Sequence, residues 1–201
     1  MPSLAVFCAS SESINERYSV LAAEVGFAIA HRGWTLISGG GSISCMGALA
    51  RAARAGGAFT IGVIPRALVD LEVSDHGADE LVITADMRDR KGEMDRRADA
   101  FLALPGGIGT LEELLEIWVS RSLGMHDKPI VVLDPWGDLQ PLAELVAGLV
   151  KAGFVRADSA RLLVWTSTVA EAMTAVEQGW AHAGELPRPT PTAAELLEAE
   201  P

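Results

Sequence analysis

Residues 101–123, FLALPGGIGTLEELLEIWVSRSL, contain a strand, a turn and a helix in direct succession, and this stretch decides the fold class. The apolar run Phe101–Leu104 predicts a buried strand. The turn Pro105–Gly109 then leads into apolar residues at helical spacing, which predict a helix over Thr110–Leu123. A strand that passes through a short turn into a helix is the unit from which α/β proteins are built.

The same alternation continues through the rest of the chain. Strands are predicted at Leu4–Cys8, Trp34–Ser38, Phe59–Ile64, Leu81–Thr84, Phe101–Leu104, Pro129–Leu133 and Leu162–Trp165. Helices are predicted between Ser13 and Gly33 and at Ile43–Ala55, Arg88–Ala98, Thr110–Leu123, Leu139–Ala152 and Val169–Ala181. The repeated β-α order predicts an open, mostly parallel sheet with helices on both faces.

Local signals mark several boundaries. Ser13 stands three residues before Glu16, which is the spacing of a capping box at the start of the first helix. The dipeptide Ile64-Pro65 is expected to open a loop after the third strand. The chain is expected to form one domain over residues 1–184, followed by a solvated, partly disordered tail over 185–201 that is rich in proline and glutamate.

Composition limits the class of protein. Of the 201 residues, 49% are hydrophobic and 21% are charged, which suits one soluble domain. The net charge of −11 argues against a nucleic-acid groove, but not against a single phosphate held by backbone amides. No apolar run is long enough to span a membrane, and neither the cysteines nor the histidines have metal-ligand spacing. We therefore expect a cytoplasmic protein with no metal site and no nucleic-acid or membrane partner.

Glycine-rich turns follow two of the predicted strands, at Ser38–Ser42 and Pro105–Thr110. In open α/β sheets, ligands bind beyond the carboxyl ends of the strands, and glycines before a helix let an anion approach free amides. Phosphate is therefore the expected ligand, although each turn can also be only a tight connection. The candidate phosphate-binding residues are Gly40, Gly41, Pro105, Gly106, Gly107, Gly109 and Thr110.

Neither turn has a nucleotide motif of the ATP or dinucleotide type. A Walker A loop ends in glycine, lysine and serine or threonine, and both turns lack that ending. A dinucleotide GxGxxG pattern fails because Ser44 and Glu112 stand where glycines are needed. A different feature, the spacing Thr110-x-x-Glu113, is that of a capping box, so on spacing alone Glu113 is assigned to the helix start.

Residues 87–118 read MRDRKGEMDRRADAFLALPGGIGTLEELLEIW, and His126-Asp127-Lys128-Pro129 follow. This stretch has an Arg-Lys pair, then a strand, then the motif PGGxGTxxE. That order closely resembles the pattern of the LOG (LONELY GUY) family of cytokinin riboside 5′-monophosphate phosphoribohydrolases. The resemblance covers about residues 4–180. It includes the stretches 7–11 and 62–65 and the triple glycine with its following Met46-Gly47.

The resemblance implies a Rossmann-like fold, a homodimer and hydrolysis of N6-substituted AMP to free base and ribose 5-phosphate, with no cofactor. It also implies that Arg90 and Glu113 are catalytic, which reverses the preference for a capping role of Glu113. This sequence departs from the family pattern at Ala9 and Ser44. It also has Ser120 and Ser122 where tryptophan and glutamine are common, so the side group of the base is left open.

The chemistry suggests a role for each candidate residue. Glycosidic cleavage builds positive charge on the ribosyl group and negative charge on the base, so a carboxylate at Glu113 can stabilise the sugar and orient or deprotonate water. Arg90 stays charged and either stabilises the departing base or holds the phosphate. Ser10 is expected to reach the phosphate or ribose. Met94 packs on the base or in the core, and Glu116 either holds ribose hydroxyls or lies on a solvated helix face.

Two alternative functions share these features. One is a nucleotide or molybdopterin carrier of the same fold, which needs the glycine turns but no catalytic carboxylate. The other is a pyridoxal-dependent decarboxylase, which needs a lysine for the cofactor; the chain has only Lys91, Lys128 and Lys151. We expect Lys91 to face water. The apolar residues of the helix over Thr110–Leu123 exceed what one face on a sheet requires, which also favours a homodimer.

Overall fold

The computed structural model describes residues 1–69 and 74–182. In these residues seven strands form a single sheet in the order β4-β3-β2-β1-β5-β6-β7, and every neighbouring pair is parallel. The strands β1 to β7 span Ser3–Phe7, Thr35–Ser38, Thr60–Pro65, Glu80–Thr84, Ala100–Ala103, Ile130–Leu133 and Leu163–Thr166. The parallel α/β sheet predicted from the sequence is confirmed. The predicted tail over 185–201 lies outside the described residues.

The helices connect the strands on both faces of the sheet. Helices α1 to α8 span Glu16–His31, Ser44–Ala55, Arg66–Val69, Met87–Arg97, Ile108–Ser122, Gln140–Ala152, Ala157–Ala160 and Val169–Ala181. The predicted loop does not open at Ile64-Pro65, because Pro65 closes β3 and the short helix α3 follows at once. Pro65 lies beyond the part of β3 that pairs with β2, since that pairing ends at Gly62, so no ladder bond to β2 is lost there.

The predicted capping box at Ser13 is also wrong. The N-cap of α1 is Asn15, whose side-chain oxygen accepts a hydrogen bond of 3.0 Å from the Arg17 amide. The Ser13 hydroxyl instead bonds to that of Ser11 in the loop after β1. Asparagine caps helices as well as serine does, so the closer residue takes the role.

Two hydrophobic cores lie on opposite faces of the sheet because side chains alternate along each strand. On β1, Leu4 and Val6 pack into one core, and Ala5 and Phe7 pack into the other. The first core contains buried side chains of α1, α2 and α8. The second contains those of α4, α5 and α6.

The strand order creates a crevice at one edge of the sheet. Strand β1 has β2 on one side and β5 on the other, and the chain leaves the two strands in opposite directions across the sheet. Phe7 at the end of β1 is paired with Ala103 at the end of β5. In open α/β sheets, ligands bind at such a reversal, beyond the carboxyl ends of the strands.

Candidate active site

A cavity of about 590 Å³ occupies this crevice, and its size lies within the range of ligand pockets. Its walls come from the segment that follows β1, from the two glycine turns and from helices α4 and α5. The residues that line it include Ser10, Gly39, Arg90, Met94, Pro105, Gly106, Gly107, Gly109, Thr110 and Glu113. The carboxyl ends of β1, β2 and β5 therefore meet at one site.

The turn after β5 supplies the part of the wall that suits an anion. Helix α5 begins at Ile108, and its N-cap Gly107 has no side chain to bond the first amides. Such amides, together with the positive end of the helix dipole, are the usual binding site for a phosphate group. The Thr110 side chain packs directly over Gly106, where an added Cβ would collide with its hydroxyl.

The turn after β2 contributes one glycine rather than the two that were predicted. Gly39 lines the cavity, whereas Gly40 and Gly41 do not. Gly40 has φ +77°, and a Cβ on it would lie 3.0 Å from Cβ of Ile64. Its carbonyl accepts a hydrogen bond of 2.9 Å from the Asp75 amide. Gly40 therefore packs the turn against β3, while Gly41 pairs with residue 74 through a β-bridge.

Arg90 extends from α4 into the cavity wall and is 8% exposed. Asp86 caps this helix and fixes its start by accepting hydrogen bonds from two amides. The Arg90 Nε donates to the Val63 carbonyl at 3.1 Å, and one terminal nitrogen donates to Glu113 Oε1 at 2.9 Å. A Cβ on Gly39 would collide with the guanidinium, so the glycine leaves the space that Arg90 fills.

Glu113 lies on α5 with its carboxylate against Arg90 and its side chain 9% exposed. Burial raises the pKa of Glu113, and the charge of Arg90 opposes that shift. The capping-box interpretation is wrong, because Gly107 is the N-cap and Thr110 lies inside the helix. The carboxylate is therefore directed into the site rather than back to the helix start.

The other predicted residues are divided between the cavity and its surroundings. Ser10 lies in the wall just beyond β1, and Met94 lines the cavity while it also packs in the second core. Glu116 does not line the cavity; its carboxylate binds Lys91 and its side chain is half exposed. The prediction that Lys91 faces water is wrong, since its side chain is only 16% exposed.

Sequence reasoning missed a polar cluster in the cavity wall, formed by α1 and the segment after β6. The Tyr18 hydroxyl donates to Asp138 Oδ1 at 3.0 Å, and both residues line the cavity. Arg17 pairs with Asp138 and lies over the ring of Trp136. The sequence held one signal for this cluster. Residues 134–138 follow the carboxyl end of β6, where ligand-binding residues are expected in an open α/β sheet.

The Cys8 thiol also lines the cavity, but it has no character of a nucleophile. Burial raises its pKa well above the ordinary value, so the thiol stays protonated. Cys8 and Cys45 are both free. Within the part of the chain that the structure describes, no group of three or more His, Cys, Asp or Glu side chains is arranged to hold a metal ion. Among residues 1–69 and 74–182, no helix is long and apolar enough to cross a membrane.

Comparison with known proteins identifies the family. A family model described as "possible lysine decarboxylase" matches residues 46–176. The cytokinin riboside 5′-monophosphate phosphoribohydrolase of Mycobacterium tuberculosis (strain ATCC 25618 / H37Rv) is 51% identical over 86% of this chain and 91% of its own. The LOG protein of the same name from Oryza sativa subsp. japonica is 39% identical over 87% of this chain and 72% of its own. The chain belongs to this phosphoribohydrolase family.

Solved structures show a second likeness within the same fold. The molybdenum cofactor carrier protein of Chlamydomonas reinhardtii superposes with a TM-score of 0.69 and is 25% identical, over 90% of this chain and 98% of the carrier. The Rossmann-like architecture implied by the sequence is confirmed by this match. The phosphoribohydrolases and the carriers share the fold. The two functions can therefore be distinguished only by the side chains of the site.

The packing of Thr110 on Gly106 gives a test of the anion-binding turn. In Gly106→Ala, the methyl group overlaps the Thr110 side chain, so the hydroxyl must leave its place in the turn. We expect inorganic phosphate to bind at least about tenfold more weakly by calorimetry, a change of about 1.4 kcal/mol. Gly148→Ala is the control, because a Cβ there has nothing within 4 Å. Unchanged phosphate affinity in Gly106→Ala would contradict the assignment.

Proposed function

We propose that the chain hydrolyses the N-glycosidic bond of a purine-type nucleoside 5′-monophosphate and releases the free base and ribose 5-phosphate. The observation that carries the proposal is the buried Arg90–Glu113 pair in the same cavity as an anion-binding turn. Relatives up to 51% identical bear the name of this activity, and their names specify a cytokinin riboside 5′-monophosphate. N6-substituted AMP is therefore the proposed substrate class.

The turn over residues 105–110 is the proposed phosphate site. The uncapped amides at the start of α5 and the Thr110 hydroxyl donate to the phosphate oxygens. These local donors outweigh the net charge of −11, because they lie at the ligand while most charged side chains are solvated and screened. Gly109 and Pro105 shape the turn, and Ser10 offers a further hydroxyl from the end of β1.

Glu113 and Arg90 are the proposed catalytic residues. A water oxygen forms a bond to C1′ while the C1′–N bond breaks, and the electron pair of that bond leaves with the base. The Glu113 carboxylate stabilises the positive sugar and accepts the proton of the attacking water. The base takes up a proton from solvent as it leaves, and Glu113 returns its proton to solvent. Arg90 lowers the pKa of Glu113 against the larger effect of burial, and it offers its remaining N–H groups to the base or the phosphate.

Apolar side chains give the cavity room for a substituted base. Ile14, Leu68, Met87 and Met94 line it together with the polar groups. Methionine adapts its shape to a flat ring or a flexible chain, so Met94 and Met87 suit a purine with an apolar substituent. These walls favour a base of purine type over a smaller pyrimidine, which would leave part of the apolar surface uncovered.

A carrier of the molybdopterin type is the second candidate, and the likeness to the Chlamydomonas carrier supports it. Both functions use the glycine turns, but a carrier has no need for a buried carboxylate beside an arginine. Burial of an ion pair costs desolvation energy, so its position in a ligand cavity indicates chemistry rather than storage. We therefore favour hydrolysis.

Decarboxylation with pyridoxal phosphate is not supported by the lysines. A Schiff base needs a lysine amine inside the cavity. Lys91 is held by Glu112 and Glu116, Lys128 is held by Asp95, and no lysine lines the cavity. The description carried by the family model therefore does not fit the placement of these residues.

A homodimer is the proposed assembly. Helix α5 buries Leu114, Ile117 and Trp118 within the chain, which accounts for one of its faces. Leu115 and Val119, one turn apart on another face, are 39% and 52% exposed, and Ile108 is 87% exposed. A two-fold partner that covers this apolar face is the simplest arrangement. We also propose one domain over residues 1–184 and a cytoplasmic location, which the two free thiols favour.

The substrate class is tested with a series of nucleotides. Purified protein should release free base and ribose 5-phosphate from isopentenyladenosine monophosphate, detected by chromatography. AMP and GMP should be cleaved more slowly, and CMP should be the poorest substrate, because its base covers the least apolar wall. Tight binding of another phosphate compound without release of any base would instead favour the carrier.

Glu113→Gln tests the catalytic carboxylate. The amide keeps the size of the side chain but loses its charge and basicity, so turnover should fall by about 10²-fold or more while AMP affinity stays nearly unchanged. Glu144→Gln on the exposed face of α6 is the matched control and should behave as wild type. Normal turnover and melting temperature in Glu113→Gln would contradict the mechanism.

Val119→Glu tests the dimer. The charge would be placed on the exposed apolar face of α5, where a partner cannot bury it without loss of affinity. Light scattering at micromolar concentration should give about twice the chain mass of 21.2 kDa for wild type and a lower mass for the variant. A wild-type mass equal to that of one chain would remove the proposal.

A further inference from the structure

Two adjacent cations of α4 face three carboxylates of α5. Arg90 pairs with Glu113 at 2.9 Å. Lys91 Nζ contacts both Glu112 and Glu116, the latter at 2.6 Å. The two glutamates that Lys91 binds therefore stand on either side of Glu113 along α5.

The burial of Lys91 separates it from an ordinary surface lysine. Its side chain is 16% exposed, whereas those of Glu112 and Glu116 are each 50% exposed. An exposed lysine pair contributes little because water screens it and the side chains lose entropy. Water screens the charge of a largely buried ammonium less than that of an exposed one. An ammonium that binds two carboxylates also fixes the positions of both.

Several charged groups act on the Glu113 carboxylate. On its own helix Glu112 raises the pKa of Glu113, in the same direction as burial. From α4 both Arg90 and Lys91 lower that pKa. From the end of β1 it faces Cys8, which stays a neutral thiol. Lys91 is thus a second cation near Glu113, after Arg90. It also pairs with Glu112, whose negative charge opposes the ionisation of Glu113.

We propose that Lys91 is a positioning residue, which holds Glu112 and Glu116 and thereby keeps the Glu113 carboxylate charged beside Arg90. Its effect on turnover rests on the proposed hydrolase function, whereas its effect on the charge of Glu113 does not. Without Lys91, the carboxylates of Glu112 and Glu116 lose their common partner beside a buried third carboxylate. Like charges at this separation favour protonation of the buried member.

The sign of the expected pH effect follows from the active form of Glu113. The carboxylate works when ionised, so activity is lost as pH falls through its pKa. Removal of Lys91 raises that pKa, so the loss begins at higher pH. At pH values well above the pKa in both proteins, Glu113 is ionised in each and the difference in turnover disappears. A merely structural role would lower activity equally at every pH.

Lys91→Met is the test variant, because methionine keeps the unbranched apolar stem and removes the charge. The acid limb of the kcat/KM profile should move up by about one pH unit, which is a loss of about tenfold below the limb. Lys91→Arg should restore the wild-type limb. Lys128→Met is the matched control. It removes the ion pair between Lys128 and Asp95, which lies on α4 like Lys91, but it removes no ion pair of the α5 glutamates.

A carboxyl titration followed by carbon-13 NMR separates this inference from the proposed function. In substrate-free Lys91→Met, the Glu113 signal should titrate about one unit higher than in wild type. An unmoved Glu113 midpoint, an unmoved acid limb or a loss uniform in pH would overturn the proposal. Wild-type protein that releases no base would contradict the hydrolase function alone, and the NMR titration would still decide the role of Lys91.

Discussion

The buried ion pair between Arg90 and Glu113 is the interaction on which the arrangement of the site depends. Removal of two charges from water costs several kcal/mol for each ion unless close partners replace the solvent. The protein meets that requirement by the contact between the two side chains and by the Val63 carbonyl, which accepts from Arg90. Helices α4 and α5 and the end of β3 must therefore all be in place before the pair is stable. Gly39 leaves the space that the guanidinium occupies.

The same pair sets the electrostatic balance of a cavity in an acidic protein. The helix start at Gly107 attracts an anion and is positive, and Arg90 adds a full charge. Among the described residues that line the cavity, Glu113 is the carboxylate that lies buried against Arg90, and this burial raises its pKa. A negatively charged substrate and the proposed catalytic carboxylate can share the cavity because these positive groups line it as well. Local geometry, rather than net charge, therefore decides what binds.

Patterns in the sequence predicted those features that depend on neighbours along the chain. Alternating strands and helices and the turn at Pro105–Thr110 are of this kind, and the parallel sheet is confirmed. Features that depend on distant segments could not be read from spacing. Gly40 serves the turn because β3 packs against it, and Lys91 is covered because glutamates more than twenty residues away reach it. The catalytic role proposed for Arg90 rests on the resemblance to a family, since a charged helix by itself predicts a solvated face.

The molybdenum cofactor carriers have the same fold as this chain, so the fold alone does not separate a carrier from a hydrolase. A glycine turn before a helix binds phosphate with main-chain groups, so carriers and hydrolases can both retain it without a specific side chain. A glutamate buried in the wall of a ligand cavity is different, because it costs stability and adds nothing to the binding of a phosphorylated ligand. A protein that only stores its ligand gains nothing from it. A costly group that does not strengthen ground-state binding thus favours a catalyst over a carrier, since such a group can act on charge that develops only in the transition state.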